Sequence, residues 1–484
     1  MDLIYQTDTS NWTERCKEAF NEIFEERYPK AAQKAIKLRA PIMAGDEGIP
    51  FAALIDPSNP DSGAYGGMSF VIFPVKESPC LISMCIGTQG LNPDENTLSR
   101  PGHARKINAV CDWLNSSFGN GQMMAWGKQD PVRVDIDIPS NVKTSFDKYD
   151  SIFKKYGKVL YAIFKPDQDK HHTEEALKAF LDLLFAERYL EPKAAHKDDY
   201  ERIRSDYFKF LMPNTSAEEL VTTLHNRKYV VLEGPPGTGK TFMAESILSD
   251  QYNKKGKIIQ FHPNMTYENF IGGLAPVTTQ ENLGFRFSPR KGFLMDAVEQ
   301  ANKIKPEPYL LVIDEINRAD LSKVLGEAIY LLEYQAKDRE ISLPYDFGEP
   351  FGDKLRLPSN LHLLGTMNSA DRSIAVLDVA IRRRFAFVKL WPQMEVVTKF
   401  GGKTMQEFFK DTVTIFIEYA EESAFALVPG HTYFMEKQDE KARDLLEKYL
   451  IPLLEEYIAQ GYVANFADAI RGLMQKIRSL KVNA

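Results

Sequence analysis

The sequence predicts an α/β fold, in which a parallel β-sheet carries helices on both faces. Three apolar runs, residues 229–232, 309–313 and 361–364, are the main reason. Each run has the length of a buried strand, and stretches with helical spacing of apolar residues separate the runs, as is typical of parallel sheets. Each run also ends in polar residues. Because the carboxyl ends of parallel strands share one edge of a sheet, we expect those polar residues to meet in one crevice.

The rest of the pattern divides the 484-residue chain into four segments. Residues 1–165 predict a mixed α/β domain, and residues 166–214 predict a helical connector. Residues 215–390 predict the parallel sheet with its helices, and residues 391–484 predict a small helical domain. This length is sufficient for about two to four domains that each bury their own core.

The N-terminal segment combines helical and strand-like patterns. Residues 11–38 are charged and helical in pattern, whereas residues 68–75 and 81–86 are apolar and predict neighbouring strands. Trp113 and Trp126 fit a core better than a surface that stacks nucleic-acid bases. The segment lacks a dense arginine, lysine and aromatic face, so DNA binding through it stays an alternative that the sequence does not decide.

The composition, with 44% apolar and 26% charged residues, is that of a soluble globular protein. No stretch is long and apolar enough to span a membrane, and residues 1–8 lack the basic and apolar zones of a signal peptide. We therefore expect a cytoplasmic protein with no membrane partner. Cys80 and Cys85 lack the C-x-x-C spacing of a zinc site, which favours buried free thiols over metal binding.

A glycine-rich loop follows the first apolar run. It reads Gly234-Pro235-Pro236-Gly237-Thr238-Gly239-Lys240-Thr241, precedes Phe242, and fits the pattern G-x-x-x-x-G-K-[ST]. Its glycines let backbone N–H groups approach phosphate oxygens, and Lys240 would neutralise the β- and γ-phosphates. The Thr241 hydroxyl would enter the ligand shell of Mg²⁺. We therefore predict that the loop, with Phe242, binds GTP or ATP.

Polar residues also follow the second and third apolar runs. Asp314 and Glu315 come directly after the second run; Asp314 would hold Mg²⁺ through water, and Glu315 would polarise the attacking water. Asn368 follows the third run and would orient that water or contact the γ-phosphate. Together with the loop, these residues predict a site for triphosphate hydrolysis.

Two further features leave alternatives open. Arg382, Arg383 and Arg384 are consecutive in a helical segment, and in isolation they would be a solvated basic turn. Beside a nucleotide site, an arginine finger supplied to a neighbouring subunit is the better interpretation, although the sequence does not decide which arginine it is. His431 fits either a contact with the nucleotide or a hydrogen-bonded structural histidine.

These motifs resemble those of the AAA+ ATPase superfamily, and within it the McrB-type GTPases of modification-dependent restriction systems, in the MoxR-related branch. The resemblance covers residues 215–484, while the N-terminal domain is not recognised. Its most specific part is Met367-Asn-Ser-Ala-Asp-Arg-Ser373, where the family usually has threonine at Ser369. Residues 429–434 are similar to a Gly-His-Ser-Tyr-Phe element of the family's lid, and residues 276–289 resemble a hairpin inserted in helix 2.

The resemblance implies an AAA+ sheet with a small helical lid, and it assigns roles to individual residues. Asp314 and Glu315 would be the Walker B pair, and Asn368 would be the sensor. Asp371 and Arg372 would belong to a signature loop at the subunit interface, and Arg383 or Arg384 would reach the next subunit. The family assembles as hexameric rings, and an arginine that acts on the site of a neighbouring subunit requires such an assembly.

The function implied is GTP or ATP hydrolysis with Mg²⁺, as the motor or regulatory subunit of a bacterial restriction or defence system. Because no nuclease signature of the P-D…D/E-x-K kind stands out, a separate McrC-like nuclease would cut the DNA. The N-terminal domain would then serve recognition. The alternative is a MoxR-like chaperone, which uses ATP to remodel a protein target.

Overall fold

A computed structural model of the chain describes residues 18, 25–42, 49–61, 65–75, 78–87, 100–130, 133, 136–167, 169–278, 285–333, 339–370 and 379–480. The chain forms two compact units. The first comprises Met1–Met212 and Thr414–Glu422, and the second comprises Pro213–Val413 and Ser423–Ala484. Among the described residues, no helix combines the length and apolar character that a membrane crossing needs.

The first unit is built on one antiparallel sheet of six strands in the order β1-β2-β3-β4-β6-β5. The strands are β1 Lys37–Ile42, β2 Phe51–Ile55, β3 Met68–Val75, β4 Ser78–Ile86, β5 Ala125–Gly127 and β6 Leu160–Phe164. The helices are α1 Lys30–Lys34, α2 Pro101–Phe118, α3 Ser140–Ser145, α4 Asp150–Tyr156, α5 Lys170–Ala186 and α6 Lys197–Leu211. The predicted mixed α/β architecture of the N-terminal segment is therefore confirmed.

One boundary in this unit differs from the prediction. Residues 11–38 were expected to be helical, but within the described part the helix α1 ends at Lys34 and β1 begins at Lys37. The reason is cross-strand pairing, since Lys37 lies opposite Ile55 and Leu38 opposite Leu54 in β2. The stretch around Lys37 and Leu38 is charged and compatible with a helix, but it forms a strand because it pairs with β2. The local sequence pattern does not reveal this pairing.

Residues 414–422 belong to the first unit through buried polar contacts with α2. Lys106 Nζ donates hydrogen bonds of 2.9 Å to both carboxylate oxygens of Glu418 and also pairs with Glu187. Arg105 donates to the backbone oxygen of Ala420 at 2.7 Å. A Cβ at Gly102 would lie 1.8 Å from the backbone oxygen of Ile417, so the close approach requires glycine.

The second unit contains a five-stranded parallel sheet in the order β15-β7-β14-β11-β8. Its strands are β7 Tyr229–Gly234, β8 Gly256–Gln260, β11 Tyr309–Asp314, β14 Leu361–Asn368 and β15 Ala386–Lys389. The antiparallel pairs outside it are β9 Gly272–Thr278 with β10 Phe285–Lys291, and β12 Ile341–Ser342 with β13 Lys354–Leu355. The predicted parallel sheet and the predicted hairpin around residues 276–289 are confirmed.

Helices surround this sheet and continue to the end of the described chain. They are α7 Ala217–Arg227, α8 Lys240–Asp250, α9 Tyr267–Phe270, α10 Phe293–Lys303, α11 Leu321–Leu325, α12 Val379–Arg382, α13 Met394–Phe400, α14 Lys403–Tyr419, α15 Glu422–Phe425, α16 Asp439–Leu445, α17 Ile451–Ala459 and α18 Ala467–Arg478. Single turns of 3₁₀ helix include Ile316–Arg318 and His431–Phe434.

Alternate residues of the central strands pack into two separate cores, one on each face of the sheet. Val231 and Leu311 pack with α10 in one core, whereas Val230 and Leu310 pack with α7 and α8 in the other. Because both faces are covered, the strands are apolar throughout, and polar side chains collect at their ends. The finer division of this unit into residues 215–390 and 391–484 stays a prediction.

Candidate nucleotide-binding site

The strands that carry the predicted site residues are neighbours in the middle of the sheet. In the register of β14 and β7, Asn368 lies opposite Gly234. In the register of β11 and β14, Ile313 lies opposite Gly365, so Asp314 is beside Thr366. The ends of β7, β14 and β11 therefore meet at one edge, and the structure brings the glycine-rich loop, Asp314 and Asn368 together there.

The loop between β7 and α8 has the backbone shape of a phosphate cradle. Gly237 and Gly239 have φ angles of 77° and 76°, in the left-handed region that favours glycine. Gly239 is the N-cap of α8, whose first residue is Lys240, so the positive end of the helix faces the loop. The buried Thr238 hydroxyl donates to the backbone oxygen of Pro235 at 2.9 Å and braces the turn. Phe242 is largely exposed.

Lys240 is buried and points back into the loop. Its Nζ donates to the backbone oxygens of Gly234 at 3.0 Å and Pro235 at 2.8 Å. Burial lowers the pKa of Lys240 to about 8, although Glu315 and Asp314 act in the opposite direction. A phosphate group would compete with the two carbonyls for this ammonium, because a hydrogen bond to a charged acceptor is stronger than one to a carbonyl.

Asp314 is the centre of a short chain of hydrogen bonds. Its Oδ1 accepts from the Thr241 hydroxyl at 2.8 Å and from the Thr366 hydroxyl at 2.7 Å. Thr366 Oγ1 in turn accepts from the backbone N–H of Glu315 at 3.0 Å. The chain joins the loop, β11 and β14, and it determines where the Asp314 carboxylate and the Glu315 backbone lie.

Glu315 occupies an unusual backbone conformation at the end of β11. Its φ of 54° and ψ of 48° are left-handed, which is costly for a residue with a Cβ. The Thr366 hydroxyl stabilises this turn through the Glu315 N–H. Arg318 Nε lies 3.7 Å from Glu315 Oε2.

Asn368 and the residue after it connect β14 with the loop and with the helical C-terminal part of the unit. Asn368 Oδ1 accepts from the backbone N–H of Ala370 at 3.1 Å. The Ser369 N–H donates to the Gly234 oxygen at 3.0 Å, and the Ser369 hydroxyl donates to the Ala426 oxygen at 2.7 Å. The predicted interface residues Asp371 and Arg372 lie outside the described residues.

Residues 429–434 lie directly against the glycine-rich loop. The Gly430 N–H donates to the Pro236 oxygen at 2.9 Å, and both the N–H and the hydroxyl of Thr432 donate to the Gly237 oxygen at 3.0 Å. A Cβ at Gly430 would lie 2.0 Å from the Gly237 oxygen. His431 is buried here, and its Nδ1 accepts from the Gln393 N–H at 3.2 Å.

The three consecutive arginines have different surroundings. The Arg382 guanidinium lies 5.1 Å from the centroid of the Phe387 ring, and Arg384 Nη1 donates to the Ala380 oxygen at 2.6 Å. The Arg383 side chain is exposed and makes no hydrogen bond or ion pair with any described residue. Of the three candidates for a finger, Arg383 is thus the one whose guanidinium is not bonded within the described part of the chain.

Arg383 also precedes β15, whose first residue, Ala386, pairs with Val230 near the start of β7. β7 has six residues and is therefore about 20 Å long. Arg383 accordingly lies towards the amino edge of the sheet, whereas the loop lies at the carboxyl edge. A contact between this arginine and the loop of its own subunit is not compatible with that separation.

Comparison with known proteins agrees with this geometry. Residues 229–385 match the model of the AAA domain, dynein-related subfamily. Over 272 residues the chain is 34% identical to the "Type IV methyl-directed restriction enzyme EcoKMcrB subunit" of Escherichia coli (strain K12), covering 53% of this chain and 57% of that protein. Over 192 residues it is 28% identical to the "Type II restriction enzyme BsuMI component YdiS" of Bacillus subtilis (strain 168), covering 32% and 55%. Residues 229–385 therefore form an AAA domain, and the chain is similar to restriction-enzyme components of McrB type.

The chain spans about half the length of the curated relatives it matches. The AAA domain match begins at Tyr229, the first residue of β7, and ends at Phe385, just before β15. It therefore contains the glycine-rich loop and the strands β11 and β14, which are the elements that form the edge described above. An AAA+ domain of this kind is a nucleoside-triphosphatase domain.

Sequence reasoning missed two parts of this AAA+ site. Thr366 was not singled out, although it lies two residues before Asn368 on the same strand, and strand alternation places both on one face. The contact of Gly430 and Thr432 with the loop was missed too, because nothing in the local pattern of residues 429–434 indicates what they touch. Pairing β11 with β14 in register would have identified Thr366.

The oxygen atoms at this edge suit Mg²⁺, which AAA+ proteins typically bind with the nucleotide. Thr241 Oγ1 and Asp314 Oδ1 are a hydroxyl and a carboxylate oxygen 2.8 Å apart. Mg²⁺ prefers oxygen ligands and is usually held by one or two protein groups together with water and substrate phosphates. The donor set of Thr241 and Asp314 therefore fits this ion.

Proposed function

We propose that the protein is a ring-forming AAA+ nucleoside-triphosphatase that hydrolyses GTP or ATP and drives a separate McrC-like nuclease in a bacterial restriction system. The observation that carries the proposal is the hydrogen-bonded chain Thr241–Asp314–Thr366–Glu315 beside the buried Lys240. Both relatives are named as a subunit or component of a restriction enzyme, which supports a multi-subunit assembly. In this assembly the N-terminal unit would recognise the target.

In the proposed reaction, Lys240 exchanges its two carbonyl partners for phosphate oxygens, and the backbone N–H groups of the loop hold the β-phosphate. Thr241 and Asp314 would hold Mg²⁺, which when bound would neutralise part of the phosphate charge. Glu315 orients the attacking water and accepts its proton, while Asn368 positions that water against the γ-phosphate. Thr366 keeps Glu315 in the left-handed turn that this role needs.

Arg383 completes the site from a neighbouring subunit in this proposal. Its exposed guanidinium and its distance from the loop of its own chain both support action in trans. Such arginines contribute on the order of 10³–10⁵ in rate, so turnover would depend on assembly into a ring, which we propose to be a hexamer. Asp371 and Arg372 are proposed to lie at the same subunit interface.

Initial rates of GTP and ATP hydrolysis test the chemistry. We expect Lys240→Ala to lose nucleotide binding, and Glu315→Gln to bind nucleotide while hydrolysing it at least about 100-fold more slowly. Glu455→Gln is the matched control, because Glu455 is an exposed lid carboxylate paired with Arg478. Ordinary turnover by Glu315→Gln would refute the assignment of the base, and the same assay determines which nucleotide is preferred.

Mixing variants tests the trans arrangement. Arg383→Ala and Lys240→Ala should each be inactive alone, but a mixed ring contains interfaces that pair an intact loop with an intact arginine. We expect activity to recover on mixing, and Arg382→Ala, whose side chain packs on Phe387, to stay active throughout. No recovery in an assembly shown to be mixed would contradict the proposal.

A further inference from the structure

We infer that His431 is a phosphate-binding residue, whose Nε2–H donates a hydrogen bond to a phosphate oxygen of the nucleotide held on the loop of residues 234–241. The inference rests on the proposed function, because it needs a nucleotide in that loop. The inference goes beyond the proposed function because it assigns a substrate contact to residues 429–434. This segment follows the AAA domain match and lies in the helical C-terminal part of the second unit.

The position of the imidazole proton follows from one hydrogen bond. The backbone N–H of Gln393 lies 3.2 Å from His431 Nδ1. Since an amide N–H only donates, Nδ1 must accept, and a neutral ring then carries its proton on Nε2. Burial lowers the pKa of His431 to about 4, so the ring is neutral at physiological pH. The residue therefore presents one N–H donor at Nε2.

That donor faces the phosphate loop. A Cβ built on Gly239 would lie 3.6 Å from His431 Nε2, and beyond its chain neighbours no other heavy atom of the described residues would lie within 4 Å of it. Gly239 caps α8, where backbone N–H groups converge on an anion. Among the described residues Nε2 has no hydrogen-bond partner, although Nδ1 has one. The ring is thus anchored on one side and uncommitted on the side of the loop.

The anchoring of the segment supports a ligand contact. Gly430 and Thr432, on either side of His431, both donate to oxygens of the loop. The bonds of Gly430 and Thr432 hold the backbone of His431 against the loop. The Nε2–H donor is therefore positioned near Gly239 before a nucleotide binds. A neutral donor also avoids the desolvation cost of a second buried cation near Lys240. Phosphate binding would then tie the segment to the occupied loop.

Two substitutions separate the donor from the anchor. In His431→Asn, the amide oxygen lies near the position of Nδ1 and still accepts from the Gln393 N–H, but the donor no longer reaches the loop. In His431→Gln, the longer side chain returns an N–H to about the position of Nε2. If the histidine has only a structural role, His431→Asn should instead lower the melting temperature of the nucleotide-free protein and cause no specific loss of nucleotide affinity.

Displacement of a fluorescent GTP analogue measures the affinities for GTP, ATP and inorganic tripolyphosphate. We expect His431→Asn to bind all three about tenfold more weakly, and His431→Gln to recover most of that loss. The melting temperature of nucleotide-free His431→Asn should equal that of wild type. Unchanged affinity would overturn the inference. A loss for GTP and ATP without a loss for tripolyphosphate would also overturn it, because the ring would then contact the base or ribose.

Measurements on wild type and Lys240→Ala distinguish failure of the proposed function from failure of the inference about His431. If wild type binds none of the three probes, the proposed function fails. If wild type binds, Lys240→Ala does not, and His431→Asn equals wild type, only the present inference fails. Should His431→Asn not fold, ¹⁵N-histidine spectra of wild type decide, because the chain has eight histidines. The His431 Nε2–H signal should shift on addition of tripolyphosphate, and an unmoved signal at saturation would refute the contact.

Discussion

Thr366 links the two acidic residues of the site, and Thr366→Val removes that link at nearly constant volume. The hydroxyl donates to Asp314 Oδ1 at 2.7 Å and accepts from the Glu315 N–H at 3.0 Å, and the side chain is buried. Valine keeps the shape and provides neither bond. The Glu315 N–H would then lose the Thr366 hydroxyl as its acceptor, in a turn whose φ is 54°.

The magnitude follows from these two bonds. Loss of the acceptor of a part-buried N–H costs about 1–3 kcal/mol, and Asp314 loses one of its two hydroxyl donors, the other being Thr241. We therefore expect Thr366→Val to lower the free energy of unfolding by about 2–4 kcal/mol. Hydrolysis should fall about 100-fold, because displacing a catalytic group by about 1 Å has that effect. Nucleotide affinity should change little, since the loop and Lys240 are untouched.

Thr366→Ser is the matched control, because it keeps the hydroxyl and loses only a methyl group. Urea unfolding followed by circular dichroism measures stability, and phosphate release under saturating nucleotide measures turnover. Serine should retain most of the stability and most of the rate. If valine and serine give equal rates and equal unfolding free energies, the hydroxyl does not position Glu315, and the reasoning from the hydrogen-bonded chain is wrong.

Other predictions concern the loop lysine and two glycines. Because burial lowers the pKa of Lys240 to about 8, ATP binding above that pH must first take up a proton, and affinity should fall by up to about tenfold per pH unit between pH 8 and 9.5. Lys240→Met should bind weakly without that slope. Gly430→Ala should destabilise the protein by about 1–3 kcal/mol in urea unfolding, because its Cβ would clash with Gly237. Gly472 lies at an exposed position of α18, where a Cβ would meet no atom of the described residues within 4 Å, so Gly472→Ala should instead stabilise the protein by about 0.5–1 kcal/mol.

Three strands of the AAA+ sheet, β7, β11 and β14, could be predicted from local patterns, because a strand buried on both faces must be apolar along its whole length. The two edge strands, β8 and β15, are less buried and were not singled out. The same patterns predicted β3, β4 and the hairpin of β9 and β10 at their observed positions. The start of β1 was beyond this reasoning. Lys37 and Leu38 have a charged, helix-compatible neighbourhood, and only their partners in β2 make them a strand.

The site shows the same limit. Lys240, Thr241, Asp314 and Asn368 each stand at the end of an element that the sequence indicates by itself, so their meeting at one edge could be expected, while their roles stay predictions. The order of the strands could not be expected from the sequence. Without that order, nothing indicates that β14 lies between β7 and β11 and that Thr366 therefore touches Asp314.

The sequence by itself determined that this chain has an AAA+ domain, because the phosphate loop and the strand ends are short, contiguous patterns whose chemistry depends on residues adjacent in the chain. Only the tertiary structure decided that Thr366 bridges Asp314 and Glu315, that His431 faces Gly239, and that residues 414–422 belong to the N-terminal unit. The physical reason is distance along the chain. Asp314 and Thr366 are 52 residues apart, and Gly237 and Thr432 are 195 apart, so their contacts exist only after the sheet and its helices have packed.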